Sequence, residues 1–248
     1  MDKVYSGTDE AVADVFDGAS IAFGGFFTAG SPVYLVEALA KQGAKNLTII
    51  TQSVAIGNWE INLMVNNHQV RKALCNYPFF RSASKLSPFE QQLRVGEVEC
   101  EVYPMGTFME KLRAGGAGIA GFYTPTGVGT YVAEGKECRV FNDKEYLLEL
   151  ALKPDFAFVH AYKGDRYGNL VYRKTSRNYN PEMAMAAEVT IAEVENLVEP
   201  GEIDPDHVHT PGIFVQRVVK VDRPEVDVTI EAPPEGAYIE FTNSGGEK

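Results

Sequence analysis

Two glycine-rich stretches hold the residues whose types and spacing could do chemistry. The first is Asp17-Gly18-Ala19-Ser20-Ile21-Ala22-Phe23-Gly24-Gly25-Phe26-Phe27-Thr28-Ala29-Gly30-Ser31-Pro32. Ile21–Phe23 reads as a short buried strand, and Ser31-Pro32 as a helix opening, a capping residue followed by proline at the first helical position. Free N–H groups at such a start, aided by the helix dipole, attract a carboxylate or a phosphate. A tight strand-to-helix turn accounts equally well for the same glycines. Gly25 to Gly30 has the spacing of a P-loop, but Ser31-Pro32 stands where Lys followed by Ser or Thr is required. The dinucleotide pattern Gly-x-Gly-x-x-Gly does not occur in this stretch either.

The second stretch, Arg113 to Thr130, has six glycines among 18 residues, at considerable backbone entropy cost. Such a segment is expected to let a backbone approach a ligand or another chain closely. Elsewhere, His207-Val208-His209 would put two imidazoles on one side of a strand, a spacing a metal could use. No Gly-x-Ser-x-Gly elbow, Cys-x-x-Cys or His-Glu-x-x-His occurs, so serine hydrolase, dithiol redox and zincin chemistry lack support.

Strands alternating with helices must position these loops. Thr8 can cap a helix reaching Phe16, with Asp9 and Glu10 in its first turn. After the strand Ile21–Phe23, a helix from Pro32 carries Leu35, Val36, Leu39 and Ala40 on one face and stops near Gly43. Leu47–Ile50 and Val70–Leu74 read as strands, as do residues around Glu97–Val102, Phe156–Ala161 and Ile213–Val221. Helices are expected at Pro88–Val95 and Thr107–Ala114. This alternation predicts an α/β fold with a mostly parallel sheet covered on both faces. The pattern holds through residue 221; residues 222–248, rich in Pro and acids, read as an extension whose end is mobile, or which docks on a partner through the alternating run Val226–Ile230.

Composition bounds the function. The chain has 248 residues, 45% of them hydrophobic, and should bury roughly three quarters of its unfolded surface. With 34 acidic against 23 basic side chains, its formal charge is −11. That argues against nucleic acid and against adsorption to an anionic membrane. The longest nearly uncharged stretch, Gly18–Val36, is broken by Gly and Pro and does not read as a membrane span. The first residues do not read as a secretory signal. Three cysteines (Cys75, Cys100, Cys138) in no close pair suit a reducing cytoplasm and buried thiols.

Taken in order, these motifs resemble the alpha (A-type) subunit of the family I coenzyme A transferases. The first stretch matches the signature of that protein from Asp17 to Pro32. The second matches its Ala-Gly-Gly-Ala-Gly…Phe-Tyr-Thr-Pro-Thr-Gly…Gly-Thr segment. The likeness continues through Lys163-Gly164-Asp165-Arg166-Tyr167-Gly168-Asn169-Leu170, Tyr172-Arg173-Lys174, Ala186-Ala187 and Glu199-Pro200-Gly201-Glu202, then His209-Thr210-Pro211-Gly212-Ile213-Phe214-Val215-Gln216-Arg217. It covers roughly 215 of the 248 residues and is strongest toward the 3-oxo acid and 3-oxoadipate enzymes, of which Thr28-Ala29-Gly30 and Cys75-Asn76-Tyr77-Pro78 are reminiscent.

The resemblance implies an open three-layer α/β/α coenzyme A transferase fold in a cytoplasmic catabolic enzyme. It implies a partner, the beta (B-type) subunit, in an A2B2 heterotetramer working on acyl-CoA and small carboxylic acids. A glutamate of that partner would attack the acyl-CoA, succinyl-CoA being the implied donor. The route would pass through acyl-glutamyl anhydrides and a glutamyl-CoA thioester. The implied cofactor is none beyond the CoA thioester substrate, with no metal. The family's nucleophile lies in Ser-Glu-Asn-Gly; here Glu195-Asn196 is followed by Leu197, so the catalytic carboxylate is expected on the partner. Gly24, Gly25, Phe26 and Gly30 would shape the substrate pocket, with Gln52, Ser53, Met105, Gly106 and Thr107 beside the reacting carbonyl. His209 falls in a motif without a metal role, which favours a structural histidine.

Three departures from the family pattern matter. Thr51-Gln52-Ser53 stands where Ser-Asn-Asn is usual, and His160 where Lys is common. Met105 replaces a glutamine whose amide helps hold the developing oxyanion, and a thioether cannot donate a hydrogen bond. Losing one such donor typically costs about 2.7–4 kcal/mol. Gln52 or the Thr107 hydroxyl could compensate, the chemistry could be hydrolysis or ring opening of a CoA thioester, or Met105 could simply fill an apolar gap. The stretch Asn76–Leu86, with clustered aromatics, Arg81 and Lys85, suits either a pocket for a bulkier dicarboxylic acid or a self-packed surface loop. A non-catalytic sensor of CoA esters is a further alternative.

Overall fold

The computed structural model describes residues 2–54, 59–79 and 86–222, the side chains of Trp59 and Glu60 apart. The first half runs α1 (Thr8–Ala11), β1 (Ser20–Phe23), α2 (Val33–Gln42), β2 (Leu47–Ser53), α3 (Trp59–Asn66), β3 (Val70–Tyr77), α4 (Pro88–Arg94), β4 (Glu99–Val102) and α5 (Met105–Gly116). Then come β5 (Gly121–Thr124), β6 (Cys138–Phe141), β7 (Lys144–Leu150), β8 (Phe156–Asp165), β9 (Leu170–Val171), α6 (Asn180–Ala186), β10 (Val189–Val198) and β11 (Arg217–Lys220).

Successive strand side chains emerge on opposite faces, so a strand that is apolar throughout must be covered twice. In β1, Ile21 and Phe23 enter one core with Leu35 and Leu39 of α2, Ile49 and Phe158. Ala22 between them faces the other, with Phe108 and Leu112 of α5 and Met183 and Ala184 of α6. The result is the expected open three-layer α/β/α arrangement. Its strand order is β11-β10-β8-β1-β2-β3-β4, each neighbouring pair parallel, with β9 antiparallel to β8. From β1 the chain steps outward through β2 to β4, then returns to the other side of β1 with β8, β10 and β11. The order reverses between β1 and β8, and ligands of open parallel sheets bind at the carboxyl ends of the strands beside such a reversal.

Several elements differ from the sequence expectation. Helix α1 ends at Ala11 and is capped at Gly7, not Thr8, while Glu10 accepts from the Ser6 N–H and hydroxyl. Ser31 gives α2 no side-chain cap, and the helix begins at Val33. The run Ile213–Val221 is strand only from Arg217; Gly212–Phe214 is a 3-10 turn with Ile213 exposed. Cys138 is exposed and Cys100 half-buried, so only Cys75 is the buried thiol expected. Helix α4 forms as its sequence suggests, through a Ser87–Glu90 capping box with Pro88 in the first turn.

The sheet β5-β7-β6, antiparallel and separate, is the element the alternating pattern does not show. Its hairpin turns at Asn142-Asp143, both with positive φ, the backbone a two-residue primed turn requires. The Val226–Ile230 run, and everything after Asp222, lies outside the described residues.

Candidate active site

At the carboxyl end of β1 the chain leaves the sheet in a closed loop. The Gly24 N–H still donates to the Phe158 carbonyl (2.9 Å), and Phe26 and Ala29 exchange main-chain hydrogen bonds at 3.0 and 3.1 Å. Gly25 sits at φ +103°, where L side chains are strained. Asn180, the first residue of α6 and fully buried, closes the loop from behind. Its Nδ2 donates to the carbonyls of Gly30 (3.0 Å) and Ser176 (2.8 Å), and its Oδ1 accepts the His160 N–H (3.1 Å). A Cβ on Gly24 would lie 1.8 Å from Asn180 Oδ1, and one on Gly30 would lie 2.6 Å from the Ser176 oxygen. Asn178 holds the Ala29 carbonyl as well, through Nδ2 at 2.8 Å. Buried Gln52 turns its Oε1 toward the Phe27 N–H at 3.5 Å, and buried Ser53 ends β2 opposite Tyr77 of β3.

The start of α2 does bind a carboxylate, but it is the chain's own. Glu193 of β10, fully buried, accepts the N–H groups of Tyr34 (3.0 Å) and Leu35 (3.1 Å) through Oε2. Its Oε1 meets His160 Nδ1 at 2.9 Å, and His160 Nε2 meets Glu195 Oε1 at 3.0 Å. The expectation that this helix start offers free donors to an external anion is therefore corrected. A carboxylate from across the sheet fills the place.

Met105, Gly106 and Thr107 open α5 after β4, further along the same edge. Thr107 is buried in the first turn, while Met105 is 44% exposed. Met105 lines a cleft of about 330 Å³ with Asn76, Tyr77, Val102, Tyr103, Pro104, Tyr131 and Val132. It is not filling a gap in the core. Between this cleft and the glycine loop runs a row of aromatic rings. Phe26 stacks on Tyr179 (6.1 Å between centroids), Tyr179 meets Phe108 (6.0 Å), and Phe108 meets Tyr103 (6.4 Å). Asn76 ties the row to β3, donating to the Tyr103 carbonyl at 2.8 Å. The expected site residues thus fall into two groups on one sheet edge, the Gly24–Gly30 loop with Gln52 and the Met105 turn. Arg81 and Lys85, the cations expected near them, lie outside the described residues.

The Tyr103 hydroxyl is pushed far up by burial and by its hydrogen bond to Glu101, so it remains a donor. Beneath the ring, Lys111 of α5 stands 4.8 Å from the centroid. Buried Glu149 of β7 pairs with that lysine at 2.9 Å and with Lys136 at 2.5 Å, joining the small sheet to α5.

Three of the six glycines of the second stretch face this same junction. A Cβ on Gly115 would lie 2.0 Å from the Leu152 carbonyl oxygen, on Gly116 2.7 Å from that of Met185, and on Gly121 2.8 Å from that of Glu149. The close backbone approach expected there is to the chain's own α6, β7 and the segment just after β7. Nor do His207 and His209 form a pair on a strand: His207 ends a 3-10 turn and meets Asp204 at 3.0 Å. His209 stacks on Tyr172, and its Nδ1 accepts the Tyr172 N–H (2.9 Å). Burial, with Arg177 and His207 nearby, holds this imidazole below its usual range.

Sequence reasoning misses Asn180 and Glu193. An Asn-Pro pair opening a short helix is the available signal for the first, since Pro181 favours the first turn. Glu193 acts across 158 residues of chain on Leu35, and no local pattern reveals that.

Known proteins resemble this chain over most of its length. Residues 5–221 match the family model for coenzyme A transferase. The alpha subunit of a probable succinyl-CoA:3-ketoacid coenzyme A transferase of Bacillus subtilis is 47% identical over 219 residues, covering 88% of this chain and 90% of its own. The alpha subunit of a 3-oxoadipate CoA-transferase of Acinetobacter baylyi is 46% identical over 221 residues, covering 89% and 96%. Among solved structures, glutaconate coenzyme A-transferase of Acidaminococcus fermentans superposes with a TM-score of 0.76 at 20% identity, over 88% of this chain and 75% of that one. With the family model spanning the whole sheet and both glycine stretches, this chain belongs to the coenzyme A transferase family.

Proposed function

We propose that the chain is the alpha subunit of a two-subunit 3-oxo acid CoA-transferase, moving CoA from succinyl-CoA to a 3-oxo acid with the nucleophilic glutamate supplied by the beta subunit. The observation that carries this reading is the state of the glutamates beside the loop. Glu193 is occupied by two helix N–H groups and His160, and Glu195 by the other nitrogen of the same imidazole. Glu193 is buried with donors on both oxygens and Glu195 is held through Oε1, so both already serve the packing of the sheet edge, which supports a nucleophile brought from elsewhere. The two relatives described above are both alpha subunits, which supports a partner that brings it. In this role the Gly24–Gly30 loop and the Met105 turn form one wall of a site that the partner completes in an A2B2 cytoplasmic assembly. CoA enters as substrate, and no metal or resident cofactor takes part.

A second reading is favoured by the Met105 cleft. Its half-exposed thioether beside Tyr77, Tyr131 and Val132 suits a bulky acyl group whose thioester is hydrolysed or ring-opened. Assaying exchange between succinyl-CoA and a series of 3-oxo acids separates the readings. The complex with the beta subunit should transfer CoA to a 3-oxo acid while the isolated chain does not. Release of free CoA without an acceptor product would favour the second reading, and transfer by this chain alone would overturn the division of labour.

A further inference from the structure

Asn180 is committed at both ends of its amide. Nδ2 holds the carbonyls of Gly30 and Ser176, with the Asn178 Oδ1 at 3.5 Å, and Oδ1 takes the main-chain N–H of His160. The same His160 reaches Glu193 through its ring, and Glu193 holds the first turn of α2. The glycine loop is thereby gripped where it rejoins the body of the protein, at Gly30 and at the helix that follows. All three side chains are buried, so they act on the loop from behind.

We propose that Asn180, backed by His160 and Glu193, is the positioning residue of the Gly24–Gly30 loop, setting where the loop backbone and Phe26 stand against the acyl group. This rests on the reading that the loop lines the transferase site. Gly24 is part of the device. A side chain there would occupy the place of the Asn180 oxygen, so loop and amide are fitted to each other.

Asn180→Asp tests it with the shape retained. It keeps an acceptor for the His160 N–H but replaces the donor that holds two carbonyls. In the complex with the beta subunit, kcat should fall by roughly a hundredfold, the effect of an ångström-scale misplacement, with KM for the acyl-CoA little changed. The pair Gly24→Ala with Asn180→Ala supplies the second arm, since the smaller residue 180 makes room for the new Cβ. Its melting temperature should recover above that of Gly24→Ala alone while kcat stays depressed. Wild-type turnover in Asn180→Asp overturns the proposal, as does failure of both Asn180 variants to fold. Recovery of kcat together with stability in the double variant would make Asn180 a filler of space, which also overturns it. If the wild-type complex transfers no CoA, the transferase reading is what fails. The positioning role then stands or falls on amide exchange in the chain alone: the Phe26 and Ala29 amides should exchange roughly tenfold faster in Asn180→Asp, a local opening, and unchanged exchange counts against it.

Discussion

In the first glycine stretch the atoms nearest Gly24 and Gly30 belong to Asn180 and Ser176, at the carboxyl edge of the parallel sheet. In the second, the atoms nearest Gly115, Gly116 and Gly121 are main-chain oxygens of Leu152, Met185 and Glu149, between α5, α6 and β7. Similar composition thus serves two ends. One set of glycines shapes the edge proposed above to meet substrate, and the other lets α5 pack at backbone distance from its neighbours. Helix α5 links the second set to the Met105 turn on that edge, since Met105 stands at its first residue and Gly115 and Gly116 at its last two. The second stretch bears on the site by fixing where α5 begins and, through Gly127, by packing against Val132 of the Met105 cleft.

The largest expected effect breaks that packing. Gly115→Ala would gain about 1 kcal/mol of helix propensity, but its Cβ must displace the Leu152 carbonyl, and overpacking against backbone should dominate with a net loss of about 2–3 kcal/mol. Calorimetry should show the melting temperature down by roughly 5–10 °C, with kcat per folded complex unchanged. Gly24→Ala should differ in kind: kcat down by roughly a hundredfold together with stability, because the buried Asn180 amide, held at both ends, must yield. Equal effects of the two on kcat would erase the distinction between the stretches.

A gentler probe is Met105→Gln, which puts an amide donor at the cleft without altering length much. For a simple 3-oxo acid, kcat should hold or rise by up to about tenfold, or about 1.4 kcal/mol of barrier. A fall on every 3-oxo acid would support the divergent acyl chemistry, and unchanged kinetics would place Met105 away from the reacting carbonyl.

The smallest effect lies remote from both stretches. Arg217 hydrogen-bonds Asp14 and holds its carboxyl below the usual range. A depressed carboxyl stabilises the fold above its unfolded pKa, and that contribution is lost as pH falls through the folded value. Asp14 is largely exposed, so Asp14→Asn should cost at most about 1 kcal/mol at neutral pH. In urea titrations the difference from wild type should vanish in acid and shrink with salt.

How much can be read in advance follows from whether the determining contacts are local. Ile21-Ala22-Phe23 announces a central strand because burial on both faces leaves a continuous apolar run. Pro88 after Ser87 announces α4 because the capping box lies within four residues. The hairpin of β6 and β7 gives no such signal, since all four residues of β6 are exposed and no apolar alternation marks it. Its Asn142-Asp143 turn is the cue available. At the site, the glycine loop and the Met105 turn are legible as segments, but their grip is not. Asn180 and Glu193 come from elements that lie far along the chain and meet the loop only once β8 returns beside β1 and β10 beside β8.

Where the covalent chemistry sits is tested most directly by trapping. The assembled complex is incubated with acyl-CoA, reduced with borohydride and digested, and its peptides are mapped by mass spectrometry. The modified glutamate is expected on a peptide of the beta subunit, with Glu193 and Glu195 of this chain intact. A reduced glutamyl adduct on either of those two residues, or on any other glutamate of this chain, contradicts that division of labour.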